Sequence, residues 1–227
     1  MHIKRQLYNL RRKLWGKYKI EDPRPIKADA PYTFFLPSND RLNALEVGDS
    51  VKIVIQSIPA GLDYDAERMW LEIVSIDGDN IKGSLDNEPF DMPQLKPKDI
   101  VKFKRWHVID YQWQNSEKEN QFEQQPTMQR WERCLVDNCV LNRKVPVDYL
   151  YREEPDMGND DDKYPDSGWR IRGDVQLMTD NEYENDDAAY IALGKVLNED
   201  DSWIHLIDEP VGSRFFKNKE TGQFERE

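Results

Sequence analysis

Two cysteines, three histidines and no long apolar run are shortages that each remove a class of function. Cys134 and Cys139 are too few for a disulfide framework. A zinc site would need further ligands, and His2, His107 and His205 are scattered along the chain. Both thiols are therefore expected to be reduced and buried. No segment approaches the ~20 apolar residues of a membrane span. The first residues lack the apolar stretch of a signal peptide, so cytoplasmic residence is the expectation. No HExxH, P-loop, dinucleotide fingerprint, Ser/His/Asp set or Cys/His set can be recognised. The residues point to no catalytic group, no cofactor and no metal.

Charge and aromatic residues are plentiful. The chain of 227 residues carries a formal net charge of −12, with 33% charged residues, seven Trp, ten Tyr and eight Phe. The aromatics can fill the cores of one large domain or two small ones. Net negative charge opposes binding to nucleic acid, whose phosphates reward a basic surface. It favours a basic partner, because complementary charge speeds encounter and rejects wrong partners. The plainer account is that acidity keeps the protein soluble.

The charge is unevenly spread. Residues 1–20 hold seven basic residues and no acidic one. Ile3, Leu7, Leu10, Leu14 and Tyr18 recur there at helical spacing, which predicts a basic amphipathic helix. Its apolar face is expected to dock on the body, with contact to anionic lipid or nucleic acid as the alternative. Pro23, Pro25 and Pro31 are expected to hold an extended connection up to residue 31. Residues 32–111 read as a β-rich domain. Strands are predicted at Val51–Ile55, Arg68–Ile76, Ile81–Leu85, Ile100–Phe103 and His107–Ile109, with a hairpin turn at Asp77-Gly78-Asp79-Asn80. Residues 112–130, rich in Gln and broken by Pro126, read as a linker. Residues 131–227 read as an α+β domain. There Cys134–Leu141 and Trp203–Ile207 look like strands, and Asn185 or Asp186 is placed to cap a helix running to about Asn198. The predicted fold class is α+β: two small domains, each a mostly antiparallel sheet with few helices.

The chain reads as organised around residues 151–174, where two strand-type flanks present an acidic loop. Tyr149, Tyr151, Trp169 and Ile171 suit strands, while Asp156–Asp166 has almost nothing apolar to bury. Residues 148–210 contain 19 acidic and 5 basic residues, a net of −14 that exceeds the charge of the whole chain.

Two resemblances follow from spaced motifs. Glu67-Arg68-Met69-Trp70, then Gly83-Ser84-Leu85-Asp86-Asn87 with Pro89, then Asp99, Val101 and Phe103 resemble a YegJ-like bacterial domain family of unknown function. That likeness implies no activity. Glu67, Asp86 and Asp91 can be imagined as an acid/base set, but carboxylates at turns and strand ends more often cap or face solvent, so catalysis is not expected there. In the second half, Tyr151-Arg152-Glu153-Glu154-Pro155, Asp166-Ser167-Gly168-Trp169-Arg170, Gly173-Asp174 and Pro210-Val211-Gly212-Ser213-Arg214-Phe215 occur in this order, with Gly222 and Phe224 beyond. They resemble the bacterial immunity-protein family numbered thirty-three. The chain departs from it in Val175, where members often carry an acidic residue, and in its long acidic 156–166 loop.

That resemblance implies a non-enzymatic immunity protein, which binds a cognate protein toxin and neutralises it. With the charge, it points to a toxin with a basic surface and to Tyr151, Arg152, Glu153, Glu154, Asp156, Asp160, Asp161, Asp162, Asp166 and Trp169 as the contact set. One alternative is a metal-dependent hydrolase using the loop carboxylates, although the loop lacks EF-hand spacing. Another is a housekeeping protein of two modules.

Overall fold

Alternating apolar positions do build most of the strands. The computed structural model describes residues 2–124, 128–158 and 162–227. It divides into two units, Met1–Ala28 with Phe35–Thr127 and Asp29–Phe34 with Met128–Glu227. Each unit has a six-stranded sheet, and the helices are few and mostly short, as the α+β reading expects.

In the first unit the strands are β1 (Lys17–Ile20), β2 (Ser50–Ile58), β3 (Ala66–Asp77), β4 (Asn80–Leu85), β5 (Ile100–Lys104) and β6 (Asp110–Gln112). They pair antiparallel in the order β1-β2-β3-β4-β5, with β6 also on β2. Val51, Ile53 and Ile55 of β2, Met69, Leu71 and Ile73 of β3, and Ile81, Val101 and Phe103 form one core. These are the period-two positions of each strand, so one face of the sheet is buried. At the β3–β4 turn Gly78 has φ +56°, a backbone that favours glycine.

The helices of this unit are α1 (His2–Trp15), α2 (Pro23–Asp29, whose last residue lies across the unit boundary) and α3 (Asn39–Asn43). Gly16 ends α1, because a Cβ there would meet the Arg12 carbonyl at 2.2 Å. Two expectations are corrected here. Residues 23–29 are helical rather than extended, since Pro23 and Pro25 fall in the first turn, where backbone N–H groups are not needed. Residues 107–109 form no strand. Arg105–His107 is a 3₁₀ turn closed by the Lys104 N–H donating to His107 Nδ1 at 3.0 Å, and pairing resumes at Asp110. Part of the Gln-rich stretch is also built in. Ser116–Gln121 is a 3₁₀ turn, and Glu119 accepts from Arg41, Tyr111 Oη and Trp113 Nε1.

The second unit contains β7 (Arg133–Asp137), β8 (Val147–Arg152), β9 (Asp166–Gly173), β10 (Ala188–Ala192), β11 (Arg214–Lys217) and β12 (Phe224–Arg226). The order is β10-β7-β9-β8-β11-β12, and only β7 and β9 run parallel. Its helices are α4 (Asn138–Leu141), α5 (Asp180–Glu184) and α6 (Leu193–Glu199). Trp169 and Ile171 of β9 point into a core with Val136, Leu150, Val196, Leu197, Trp203 and Phe215. Tyr32 joins this core from far upstream. Its N–H donates to Asn198 Oδ1 at 2.9 Å, its hydroxyl to Asp201 at 2.8 Å, and its carbonyl accepts from the Arg130 N–H.

Three further expectations change in this unit. The helix capped near residue 185 is instead two elements. Thr179 and Glu182 cap α5 reciprocally, and Ala188–Ala192 pairs with β7 as a strand before α6 begins. Asp186 is occupied elsewhere, accepting the Cys139 N–H at 3.1 Å. Cys134–Leu141 is a strand only to Asp137 and then turns into α4. Trp203 is fully buried, but Ile204–Leu206 is a 3₁₀ turn rather than a strand.

Candidate functional site

The acidic loop is organised by an arginine beneath it. Along β9, Trp169 and Ile171 face the core, so Arg170 and Arg172 must stand on the other face of the sheet. An arginine there would ordinarily be wet. Arg170 is instead 1% exposed, because the chain after β8 folds over it. Its Nε donates to Glu153 Oε1 at 2.6 Å, Nη1 and Nη2 to the two oxygens of Asp166 at 3.0 and 2.9 Å, and Nη2 to Asp156 at 2.8 Å. Asp166 also accepts the N–H groups of Gly168 and Met157, at 3.0 and 3.1 Å. One buried cation and three carboxylates therefore fix both ends of the loop.

The four spaced motifs meet around this knot. Arg152 donates to the carbonyls of Ser167 and Glu209, and its guanidinium lies 5.6 Å from the Trp169 ring centroid. Gly168, at φ +78°, lets β9 pass the Glu153 carbonyl, which a Cβ would approach to 2.1 Å. The Gly212 N–H donates to the Arg152 carbonyl, and the Arg152 N–H to Ser213. Gly173 packs where a Cβ would meet Cys139 Sγ and Val145 at 2.7 Å, and Asp174 is ion-paired with Lys219. These motif residues build the fold.

The expected contact residues accordingly separate into layers. Trp169 is fully buried and its Nε1 donates to the Ile207 carbonyl at 3.2 Å. Asp166 is buried under the loop. Neither presents a face to a partner in this conformation. Tyr151 and Arg152 are half-buried, and the Tyr151 hydroxyl accepts from Arg172 at 3.2 Å. Glu153, Glu154, Asp156 and Asp162 are exposed, with the Asp156 side chain 70% accessible. Asp160 and Asp161 lie outside the described residues.

A neighbouring cleft was not expected from the sequence. It encloses about 740 Å³ and is lined by Asp137, Asp148, Tyr149, Arg172, Tyr183 and Asp186, among others. Arg172 crosses it, donating to Asp137 at 2.6 Å. The two-residue step from Arg170 to Arg172 was the available signal, since it puts both on one face. The carboxylates considered as an acid/base set in the first unit are engaged otherwise. Glu67 accepts the N–H groups of Phe90 and Asp91, Asp91 is buried against Arg12, and Asp86 lies 3.5 Å from Lys98. Among the described residues no three His, Cys, Asp or Glu side chains are arranged to hold a metal ion, and no helix is long and apolar enough to cross a membrane.

Protonation follows burial and pairing. Burial pushes the Cys134 and Cys139 thiols up, the latter to about 12, so neither is a reactive thiolate near neutral pH. Burial opposes ionisation of Asp166, but the Arg170 guanidinium and the Gly168 and Met157 amides outweigh it and hold the carboxyl below its ordinary value. A carboxyl lowered in the folded state contributes stability that is complete above its unfolded value of about 3.9. That contribution is lost as pH falls through the folded value. The stability gap between the wild type and Asp166→Asn should therefore shrink as pH is lowered from about 5 to about 2. Urea melts across that range measure it, and a constant gap would remove Asp166 from the acid response.

Comparisons with known proteins give two matches. Residues 134–227 match the family model described as Immunity protein Imm33 domain. Residues 35–122 match the one described as Uncharacterized protein conserved in bacteria (DUF2314). No curated protein and no solved structure matches the chain. The immunity match points to a toxin as the kind of partner and to a non-enzymatic role. The chain thus carries one segment similar to the DUF2314 family and another similar to the Imm33 immunity-protein family.

Proposed function

We propose that the protein neutralises a cognate toxin by binding it through the acidic surface of the second unit. The match of residues 134–227 to an immunity-protein domain carries this reading. The net charge of −14 over residues 148–210 supports the finer statement that the toxin surface is basic. Residence in the cytoplasm belongs to the same reading, because a toxin's target is where its inhibitor must act.

In and beside the acidic loop, Glu154 and Asp162 are the exposed carboxylates best placed to meet a partner, since Asp156 is paired with Arg170. The Arg170 knot holds the base of the loop, so a partner does not have to order it first, which reduces the entropy lost on binding. Arg170 neutralises Glu153, Asp156 and Asp166 at the base of the loop, and Glu154 and Asp162 keep the rim anionic. Rim pairs contribute only about 0–1 kcal/mol each, so the main effect of the rim is on the rate of encounter.

The test pairs the protein with the polypeptide encoded beside it. Cells expressing that polypeptide should die, and co-expression of the wild type should rescue them. Glu154→Gln and Asp162→Asn together should slow association several-fold at low salt and flatten its salt dependence. An unchanged rate at low salt would move the contact off the loop. Absence of both binding and rescue would remove the immunity reading altogether.

A further inference from the structure

Helix α1 is attached to its unit by its charged side. Arg5, Tyr8 and Arg12 share one face at i, i+3 and i+7. Arg12 is fully buried. It donates to Asp91 Oδ1 at 2.7 Å, to Ser57 Oγ at 3.0 Å and to the Asp91 carbonyl. Tyr8 Oη donates to the Ala60 carbonyl at 2.9 Å, and Arg5 pairs with Asp63 at 2.6 Å. Asp91 is held for this purpose by the N–H groups of Asp63 and Tyr64.

The opposite face is the apolar one, and it is bare. Leu7, Leu10 and Leu14 recur at i, i+3 and i+7 and are 61%, 53% and 59% exposed. The expected docking of this stripe on the body is therefore inverted. Amphipathic helices normally bury the apolar stripe, since exposure of three leucines forgoes its transfer free energy. Here an ion-paired arginine anchors the helix and the stripe is left outward. The stripe has cationic margins. Lys4 and Arg11 flank it on one side and Lys13 on the other, all exposed and with no carboxylate partner among the described residues. Trp15, 72% exposed, is the last residue of the helix.

We propose that α1 is an interfacial helix that lays this face on an anionic phospholipid surface. An apolar ridge between rows of cations meets the acyl boundary and the headgroups simultaneously. The ridge is convex and would need a matching groove in a protein partner, whereas a bilayer deforms around it. The occupant must be anionic, because the cations beside the stripe, Lys4, Arg11 and Lys13, are exposed and have no carboxylate partner among the described residues. The rest of the chain is acidic and is repelled by such a surface, so attachment is reversible and sensitive to salt. The surface lies in the first unit and is independent of the immunity reading.

Flotation of the full chain with vesicles tests it. The wild type should float with vesicles of equal parts phosphatidylglycerol and phosphatidylcholine at low salt. Binding to phosphatidylcholine alone should be weaker by about twentyfold or more. Lys4→Gln with Arg11→Gln should lose about twenty-five-fold, at about fivefold per cation. Leu10→Glu with Leu14→Glu should abolish flotation while the melting temperature holds, because both side chains are exposed in the folded protein. No flotation of the wild type on anionic vesicles overturns the proposal. So does equal flotation of the leucine variant. A dimer dispersed by the leucine variant, without flotation, also overturns it and assigns the face to a second copy of the chain.

Discussion

Arg170→Met is expected to destabilise the second unit by about 3–5 kcal/mol, the usual cost of removing one partner from a buried ion pair. The geometry explains why the cost is so high. Asp166 is held by two arginine nitrogens under the loop, and Glu153 and Asp156 converge on the same guanidinium. Without the cation, three carboxylates are left together and one of them is buried. That loss is mostly desolvation and like-charge repulsion rather than a missing attraction. A companion variant separates these terms. Arg170→Met combined with Asp166→Leu removes the buried charge with its partner, and much of the lost stability should return. Denaturant melts followed by tryptophan fluorescence give both values. A single-variant loss below about 1 kcal/mol, the range of an exposed pair, would show that Arg170 is solvated in solution.

Trp169→Ala should cost about 3–5 kcal/mol, the range for deleting a buried aromatic ring. Trp169 is fully buried, lies 5.7 Å from the Trp203 ring, and donates its indole N–H to Ile207. Trp203 is equally buried, but its indole N–H has no acceptor among the described residues. The two indoles should therefore respond differently to phenylalanine. Trp169→Phe strands the Ile207 carbonyl and carries an added penalty of about 1–3 kcal/mol. Trp203→Phe removes an unsatisfied donor and escapes that penalty. Equal losses in the two phenylalanine variants would contradict this assignment, and an unchanged melting temperature for Trp169→Ala would contradict its burial.

Strands with clean alternation were legible in the sequence. Val51–Ile55, Arg68–Ile76 and the Gly78 turn needed only period two and a residue that tolerates positive φ. Trp169 and Ile171 were legible as strand residues for the same reason, although Trp169 was placed in the contact set and is buried. The elements that escaped are those decided by distant partners. Ala188–Ala192 reads as helix locally, yet the edge of β7 recruits it as a strand. Tyr32 gives no local sign that its acceptors lie at Asn198 and Asp201. The polarity of α1 was legible, but its orientation was not, because a carboxylate at Asp91 outcompetes the hydrophobic expectation. In the candidate site the charge of the loop was visible from composition. That Glu153, Asp156 and Asp166 share one arginine was not, since charge counts do not distinguish a carboxylate that faces water from one that faces a buried cation.

The placement of Asp29–Phe34 in the second unit makes the chain nested. Most of the first unit is inserted between Phe34 and Met128, so the chain passes from one unit to the other three times. During synthesis the Tyr32 segment leaves the ribosome long before Asn198 and Asp201 exist. The insert can close its own sheet first, as domains do when they emerge, while Tyr32 waits for its receptor. A gene fragment beginning after the Gln-rich stretch would therefore encode an incomplete body, with the Tyr32 slot beside Gly194 left open. A short synthetic peptide carrying Asp29–Phe34 is the natural plug for that slot, and fragment complementation becomes a way to switch the second unit on from outside.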